Sequence, residues 1–171
     1  RWIVNLNNRY PCDIGVLSPI LLNLICLEPG QSMFLPAGEL HAYLDGVGIE
    51  LMANSDNVLR GGLTSKHIDV PELLKVVNFN PRPVNVLKAV KKNKNESVYA
   101  SDADEFVLSV VNASAGNPYQ SSESRSVEIL LCTEGTACLK DNGTQELLNI
   151  KKGDYVMIPA SVFGYSICGD A

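Results

Sequence analysis

Apolar residues along the chain fall mostly in short runs, many with a period of two. Glycine, proline and asparagine interrupt them every few residues, the pattern of a protein built from short strands. A helical period appears twice. Trp2, Ile3 and Leu6 lie on one side of a short helix over 1–9, closed by Tyr10-Pro11. Leu73, Leu74 and Val77 line a second helix over Val70 to Val77, with Pro71 at its first position. Between the two, Asp13-Ile14-Gly15 and Ser18-Pro19 make a turn-rich connection. Ile20 to Leu27 is an apolar run of strand length ending at Glu28-Pro29-Gly30, and Ser32 to Leu35 reads as another strand before Pro36-Ala37-Gly38 turns the chain.

The stretch Gly30 to Ala53, GQSMFLPAGELHAYLDGVGIELMA, organises the rest. Asp45-Gly46 has the composition of a type I′ turn, which predicts two paired strands with Leu44 opposite Val47, Tyr43 opposite Gly48 and His41 opposite Glu50. Side chains alternate along strands, so His41, Tyr43, Gly48 and Glu50 share one face, and Ala42, Leu44, Val47, Ile49 and Leu51 the other. The polar face thus carries an imidazole, a phenol and a carboxylate side by side. His41 is one of only two histidines in 171 residues. The other, His67, lies in a polar loop.

Asn54 to Lys66, NSDNVLRGGLTSK, reads as a loop. Asn78 to Ser97 reads as a linker: it holds Pro81, Pro83 and the basic cluster KAVKKNKN without a clear period, and such a cluster is by default solvated. From Val98 a second β-rich unit begins, with strands expected over Phe106 to Val111, Ser126 to Cys132, Thr136 to Leu139 and Glu146 to Ile150. Gly135, Asp141-Asn142-Gly143 and Lys152-Gly153-Asp154 fall between them, a spacing that points to a barrel or sandwich. The expected division is 1–77, a linker over 78–97, and 98–171. Two segments echo each other: Gly30-QSMFL-Pro36-Ala37-Gly38-EL-His41 and, 123 residues on, Gly153-DYVMI-Pro159-Ala160-Ser161-VF-Gly164. Self-similarity of this kind suggests duplicated units. The second copy has glycine where the first has histidine, so metal chemistry belongs to the first alone.

Composition narrows the function classes. The apolar share of 46% and charged share of 19% are those of an ordinary globular protein. A net charge of −5 argues against a general nucleic-acid binder, which carries a basic face, while leaving room for a few local cations to hold an anionic small molecule. No apolar run approaches the ~20 residues of a membrane span. Cys12, Cys26, Cys132, Cys138 and Cys168 are odd in number and contain no CxxC pair, which favours free thiols in a reducing cytoplasm over a disulfide or metal framework. Position 1 is arginine rather than methionine, the chain opens within a helical pattern and stops within an apolar one at SICGDA, and both ends read as cuts in a longer protein.

The pattern G-x5-P-x-G-x2-H over Gly30 to His41 resembles the second signature motif of the cupin superfamily, small jelly-roll β-barrels that often hold a metal. Asp45 stands where the motif usually ends in asparagine. The longer run FLPAGELHAYLDGVGIELMANSDNVLRGGLTSKHIDVPEL, about forty residues, resembles the type I mannose-6-phosphate isomerases, as does DIGVLSPILLN before it. The resemblance implies a mainly β fold of two cupin-like jelly-roll units with a short helix or two. Residues 1–77 would be the C-terminal portion of an incomplete catalytic barrel, and 98–171 a second, metal-free barrel with its own end truncated. It implies a zinc-dependent aldose–ketose isomerase that interconverts mannose 6-phosphate and fructose 6-phosphate through a cis-enediol, feeding GDP-mannose synthesis or mannose catabolism.

The same resemblance assigns residues. In the family a Gln, a His and a Glu from the N-terminal half bind zinc together with the motif histidine, which maps onto His41. No Gln-x-His is present here to supply the others, so this chain alone is expected to bind zinc weakly or not at all and to be inactive without the N-terminal half. The family's catalytic arginine falls in DNVLRGG, at Arg60, where a permanent positive fork suits an enediolate or a phosphate and Gly61-Gly62 admit a ligand closely. Glu50 suits proton transfer or orientation of the metal shell. Asp56 fits a proton relay or an Asx-turn equally well, Lys66 a substrate contact or a solvated lysine, and Tyr43 the pocket wall. The alternative reading is a bicupin that binds a sugar without turning it over. A structural β-sandwich with an incidental histidine comes third. Neither nucleic acid nor membrane is an expected partner.

Overall fold

The computed structural model describes residues 1–55 and 57–170. Strand outweighs helix, 26% against 14% of the chain. The protein is mainly β, as expected, and has three short α-helices where one or two were expected. It divides into two compact units, one of residues 1–88 and 101–107, the other of 89–100 and 108–171.

In the first unit, α1 (Trp2–Arg9) turns its apolar side inward and buries Leu6. A 3-10 turn, Ile14–Leu17, follows, started by the Asp13 carboxylate, which accepts from the Gly15 amide. It runs into α2 (Ser18–Leu21), whose Pro19 occupies the first turn. The apolar run from Ile20 is therefore not a strand. Ser18-Pro19 is a helix-start signal, and beyond it Leu22, Leu24 and Leu27 are exposed with no ladder partner among the described residues.

β1 (Gln31–Met33) forms as expected and pairs antiparallel with β2 (Val86–Lys88). α3 (Val70–Val76) lies between them in sequence, capped by the Asp69 carboxylate on the Glu72 amide. Gly38 lets the chain turn under that helix. Its φ is +83°, and a Cβ there would sit 2.6 Å from the Val76 carbonyl oxygen, so neither the backbone angle nor the space admits a side chain.

The second unit holds the core. β8 (Thr136–Asp141) is central to a four-stranded antiparallel sheet ordered β6-β11-β8-β9, with β6 (Tyr119–Gln120), β9 (Leu147–Lys151) and β11 (Tyr165–Asp170). β7 (Glu128–Leu131) pairs with β10 (Tyr155–Ile158), and β3 (Val90–Lys91), β4 (Glu96–Tyr99) and β5 (Leu108–Val111) form a third sheet. Alternation decides what is buried. Ala137 and Leu139 on β8, Tyr165 and Ile167 on β11, and Ile150 on β9 point inward to meet Ile158, Cys132, Tyr119 and Ala113.

The stretch 78–97, read as a linker, contains β2, β3 and the start of β4. Its pairing is with distant or neighbouring backbone rather than through an apolar face. Lys88 and Lys91 keep those strands exposed, so no alternation marks them.

The two copies of the internal repeat have matching local structure. Each begins at a left-handed glycine, Gly30 (φ 81°) and Gly153 (φ 92°), and enters a strand. Each closes its Pro-Ala turn with the same bond, Glu39 N–H to the Pro36 carbonyl at 3.4 Å and Val162 N–H to the Pro159 carbonyl at 3.1 Å. An arginine grips each turn. Arg82 donates through Nε and Nη2 to the Glu39 carboxylate and through Nη2 to the Phe34 carbonyl. Arg125 donates to the Pro159 and Val162 carbonyls and to Glu128. Gly164, in the histidine's place, is buried; a Cβ there would sit 3.3 Å from Asn142 Nδ2.

Candidate functional site

His41, Tyr43 and Glu50 meet as the alternation requires. The Tyr43 hydroxyl donates to Glu50 Oε1 at 2.8 Å, His41 Nε2 lies 4.0 Å from the same oxygen, and the two rings stand edge to face 6.0 Å apart. The supporting ribbon is another matter. Residues 39–53 carry no strand ladder, and Val47, Ile49 and Leu51 on the opposite face are exposed. The predicted pair of strands is corrected accordingly: a two-stranded ribbon with an uncovered apolar face is marginal on its own, and the Tyr43–Glu50 bond bridges the two arms instead.

Partial burial, the Glu50 hydrogen bond and the Glu50 charge, in that order, push the Tyr43 phenol up to about 12. It is therefore a hydrogen-bond donor at neutral pH, not a base. The His41 ring is oriented by its other nitrogen. Nδ1 lies 3.0 Å from the Glu39 carbonyl oxygen, which can only accept, so Nδ1 carries a proton and Nε2 is the nitrogen left to offer a lone pair to a metal. Glu39 is in turn held by Arg82, giving a short chain from arginine to imidazole.

That donor set fits one corner of a zinc shell. A neutral imidazole with its tautomer fixed by a backbone carbonyl is a good ligand at about 2.0–2.1 Å. Glu50 stands beside it. Among the described residues no group of three or more His, Cys, Asp and Glu side chains is placed to hold a metal.

Arg60 lies on an exposed loop, and among the described residues its side chain makes no hydrogen bond or ion pair. The loop it heads is pinned: Asp13 Oδ2 accepts from the Leu63 amide at 2.6 Å, and a Cβ on Gly61 would sit 2.6 Å from Leu40 Cδ2, next to His41. Lys66 and His67 are exposed on the same connection, the Lys66 amide donating to Thr64 Oγ1. Asp56 lies outside the described residues. Sequence reasoning missed Asp13 and Arg82. Asp13 lies in a turn where aspartate is ordinary, and Arg82 in a proline-rich stretch with no pattern. Only their partners, 50 and 43 residues away, reveal them.

No family model matches the chain. Curated relatives do. The mannose-6-phosphate isomerase of Salmonella typhimurium is 42% identical over 156 residues, 91% of this chain and 39% of that protein. The Escherichia coli protein of the same name is 44% identical over 153 residues, 89% of this chain and 38% of its own length. The chain is a homologue of the mannose-6-phosphate isomerases. It spans less than two fifths of their length and matches their C-terminal part. The Mus musculus mannose-6-phosphate isomerase is 35% identical over 166 residues, 94% of this chain and 39% of that protein. Among solved structures, Salmonella typhimurium mannose 6-phosphate isomerase bound to its substrate fructose 6-phosphate and to zinc has a TM-score of 0.85 at 38% identity, covering 99% of this chain and 42% of that one. The apo form of the same enzyme gives the same score and identity, covering 99% and 43%.

Proposed function

We propose that this chain supplies part of the active site of a zinc-dependent mannose-6-phosphate isomerase, a cytoplasmic enzyme interconverting mannose 6-phosphate and fructose 6-phosphate. The N-terminal half of the same protein would contribute the remaining zinc ligands. The observation that carries this reading is the imidazole–phenol–carboxylate cluster of His41, Tyr43 and Glu50. It occurs in a chain homologous along nine-tenths of its length to mannose-6-phosphate isomerases.

Aldose–ketose isomerisation moves a proton between C1 and C2 by way of a cis-enediol and must stabilise the developing oxyanion. Zinc, when bound, polarises the substrate oxygens as a Lewis acid. His41 Nε2 supplies one ligand. Arg60, always charged, faces the developing negative charge or the phosphate, and Lys66 adds a second cation for the phosphate. Glu50 accepts from Tyr43, so its carboxylate is oriented to move a proton or to brace the metal shell, with Tyr43 lining the pocket. Asp56 is assigned to the proton relay. Residues 1–77 belong, in this reading, to the catalytic barrel and 98–171 to a barrel without metal. Five free thiols fit the reducing compartment.

In the native protein that carries these residues, Arg60→Ala is expected to lower isomerase turnover by about 10²- to 10³-fold with zinc content unchanged. His41→Ala is expected to lower the zinc content itself. Near-normal turnover in the first variant removes Arg60 from the mechanism, and unchanged metal stoichiometry in the second removes His41 from the ligand set. A native protein that binds mannose 6-phosphate without converting it would instead be a sugar-binding bicupin.

A further inference from the structure

The loop that follows Arg60 is held in a conformation its own sequence does not favour. Gly62 has φ +144°, and Leu63, a residue with a side chain, sits in the left-handed region at φ 52°. A leucine keeps such an angle only when its surroundings over-determine it. The constraint comes from fifty residues earlier. Asp13 Oδ1 accepts from the Gly15 amide at 2.7 Å, which is all that starting a 3-10 turn requires, while Oδ2 reaches across to the Leu63 amide at 2.6 Å. The two backbones are in close approach. A Cβ on Gly15 would stand 3.2 Å from Leu63 Cγ and 3.3 Å from Leu63 N, and one on Gly62 would stand 3.5 Å from the Gly15 Cα. On the other side, Gly61 leaves the space that Leu40, the neighbour of His41, occupies. Arg60 is gripped by no described side chain, so what this packing fixes is the stretch of backbone from which its side chain reaches.

We propose that Asp13 is the positioning residue for Arg60. Its carboxylate fixes Gly61-Gly62-Leu63 against the Asp13-Ile14-Gly15 turn and against Leu40, so that the backbone carrying Arg60 is held beside the segment carrying His41. The role rests on the isomerase reading given above. Aspartate is required because both carboxylate oxygens accept from backbone amides at once; asparagine, of the same shape, has one acceptor and turns an N–H toward the other donor.

The test is a double-mutant cycle in the native protein, with Asp13→Asn made in the parent and in the Arg60→Ala background. Asp13→Asn in the parent is expected to lower kcat/KM for mannose 6-phosphate by about ten- to a hundredfold, the scale of a misplaced catalytic group, with zinc content unchanged. In the Arg60→Ala background the same change is expected to cost less than about twofold, because its target is already gone. A purely structural role would cost the same factor in both backgrounds, and that result overturns the proposal, as does an Asp13→Asn protein within twofold of the parent. Hydrogen exchange at the Leu63 amide reads the clamp without turnover: slow in the parent, fast in Asp13→Asn. Equal exchange in the two proteins refutes the clamp. A parent inactive on mannose 6-phosphate but showing that exchange difference overturns the isomerase reading, and Arg60's part in it, while upholding the hold on the loop.

Discussion

At the scale of single residues, the site depends on where protons sit. Tyr43 keeps its proton through the physiological range, so Glu50 receives a hydrogen bond rather than meeting a second negative charge. The sign of the linked pH effect follows. A phenol whose folded value lies above its ordinary 10 contributes stability that is fully present below pH 10 and lost as pH rises toward 12. Tyr43 is 73% exposed, so solvent screening keeps that contribution small. The titration itself remains measurable. The absorbance difference between the parent and Tyr43→Phe should show phenolate appearing with a midpoint near 12; a midpoint near 10 would mean that neither the partial burial nor the Glu50 bond holds in solution. The grouping of His41, Tyr43 and Glu50 is legible in the sequence because it needs only a turn at Asp45-Gly46 and alternation beyond it. The imidazole's tautomer is not, because it depends on the Glu39 backbone carbonyl, which no side-chain pattern encodes.

At the scale of elements, legibility follows how local the cause is. α1 comes from its helical period, α3 from its period and the Asp69 cap within its own window, and the strands of the second unit from alternation and turn residues. The element over Ser18–Leu21 departs from expectation because an apolar run looks alike in a buried strand and a short helix, and here Pro19 decides between them. β2 and β3 are invisible in the sequence because lysines keep them exposed, and the partner of β2 is remote besides. The arginine grips belong to this class too, and they differ in strength. The Arg125 side chain is 4% exposed and lies over the Tyr165 ring at 5.4 Å, while that of Arg82 is 37% exposed. Lysine cannot reproduce a planar fork on two carbonyls and a carboxylate. Urea unfolding should therefore show Arg125→Lys losing about 2 kcal/mol or more, on the scale of charged hydrogen bonds, and Arg82→Lys losing less. The reverse order would show that the grip on Pro159 and Val162 is not what holds the second turn.

At the scale of the whole chain, apolar burial is uneven. The nine-residue core cluster lies wholly within the second unit, whereas Leu6 is the one described apolar residue of the first that counts as buried. Ile20, Leu21, Leu22, Leu24, Val47, Ile49 and Met52 all remain exposed. Area removed from water is the main favourable contribution to folding, so the two units should differ in protection. Hydrogen exchange of the 171-residue chain should confine its slowest amides to the strands of the second unit, with 39–55 exchanging early. Equally slow exchange in both would contradict that picture. The arginine grips bear on how two such unequal copies keep the same local form. In its turn Arg125 holds main-chain oxygens, which every amino acid possesses, so that hold does not depend on the side chains the turn carries, and glycine at 164 leaves it intact. The likeness of the two copies then lies in a bond that residue-by-residue comparison does not score. Other such pairs should be sought by the same mark: an arginine just ahead of a strand, reaching for a main-chain carbonyl at or beside a Pro-Ala turn on its partner.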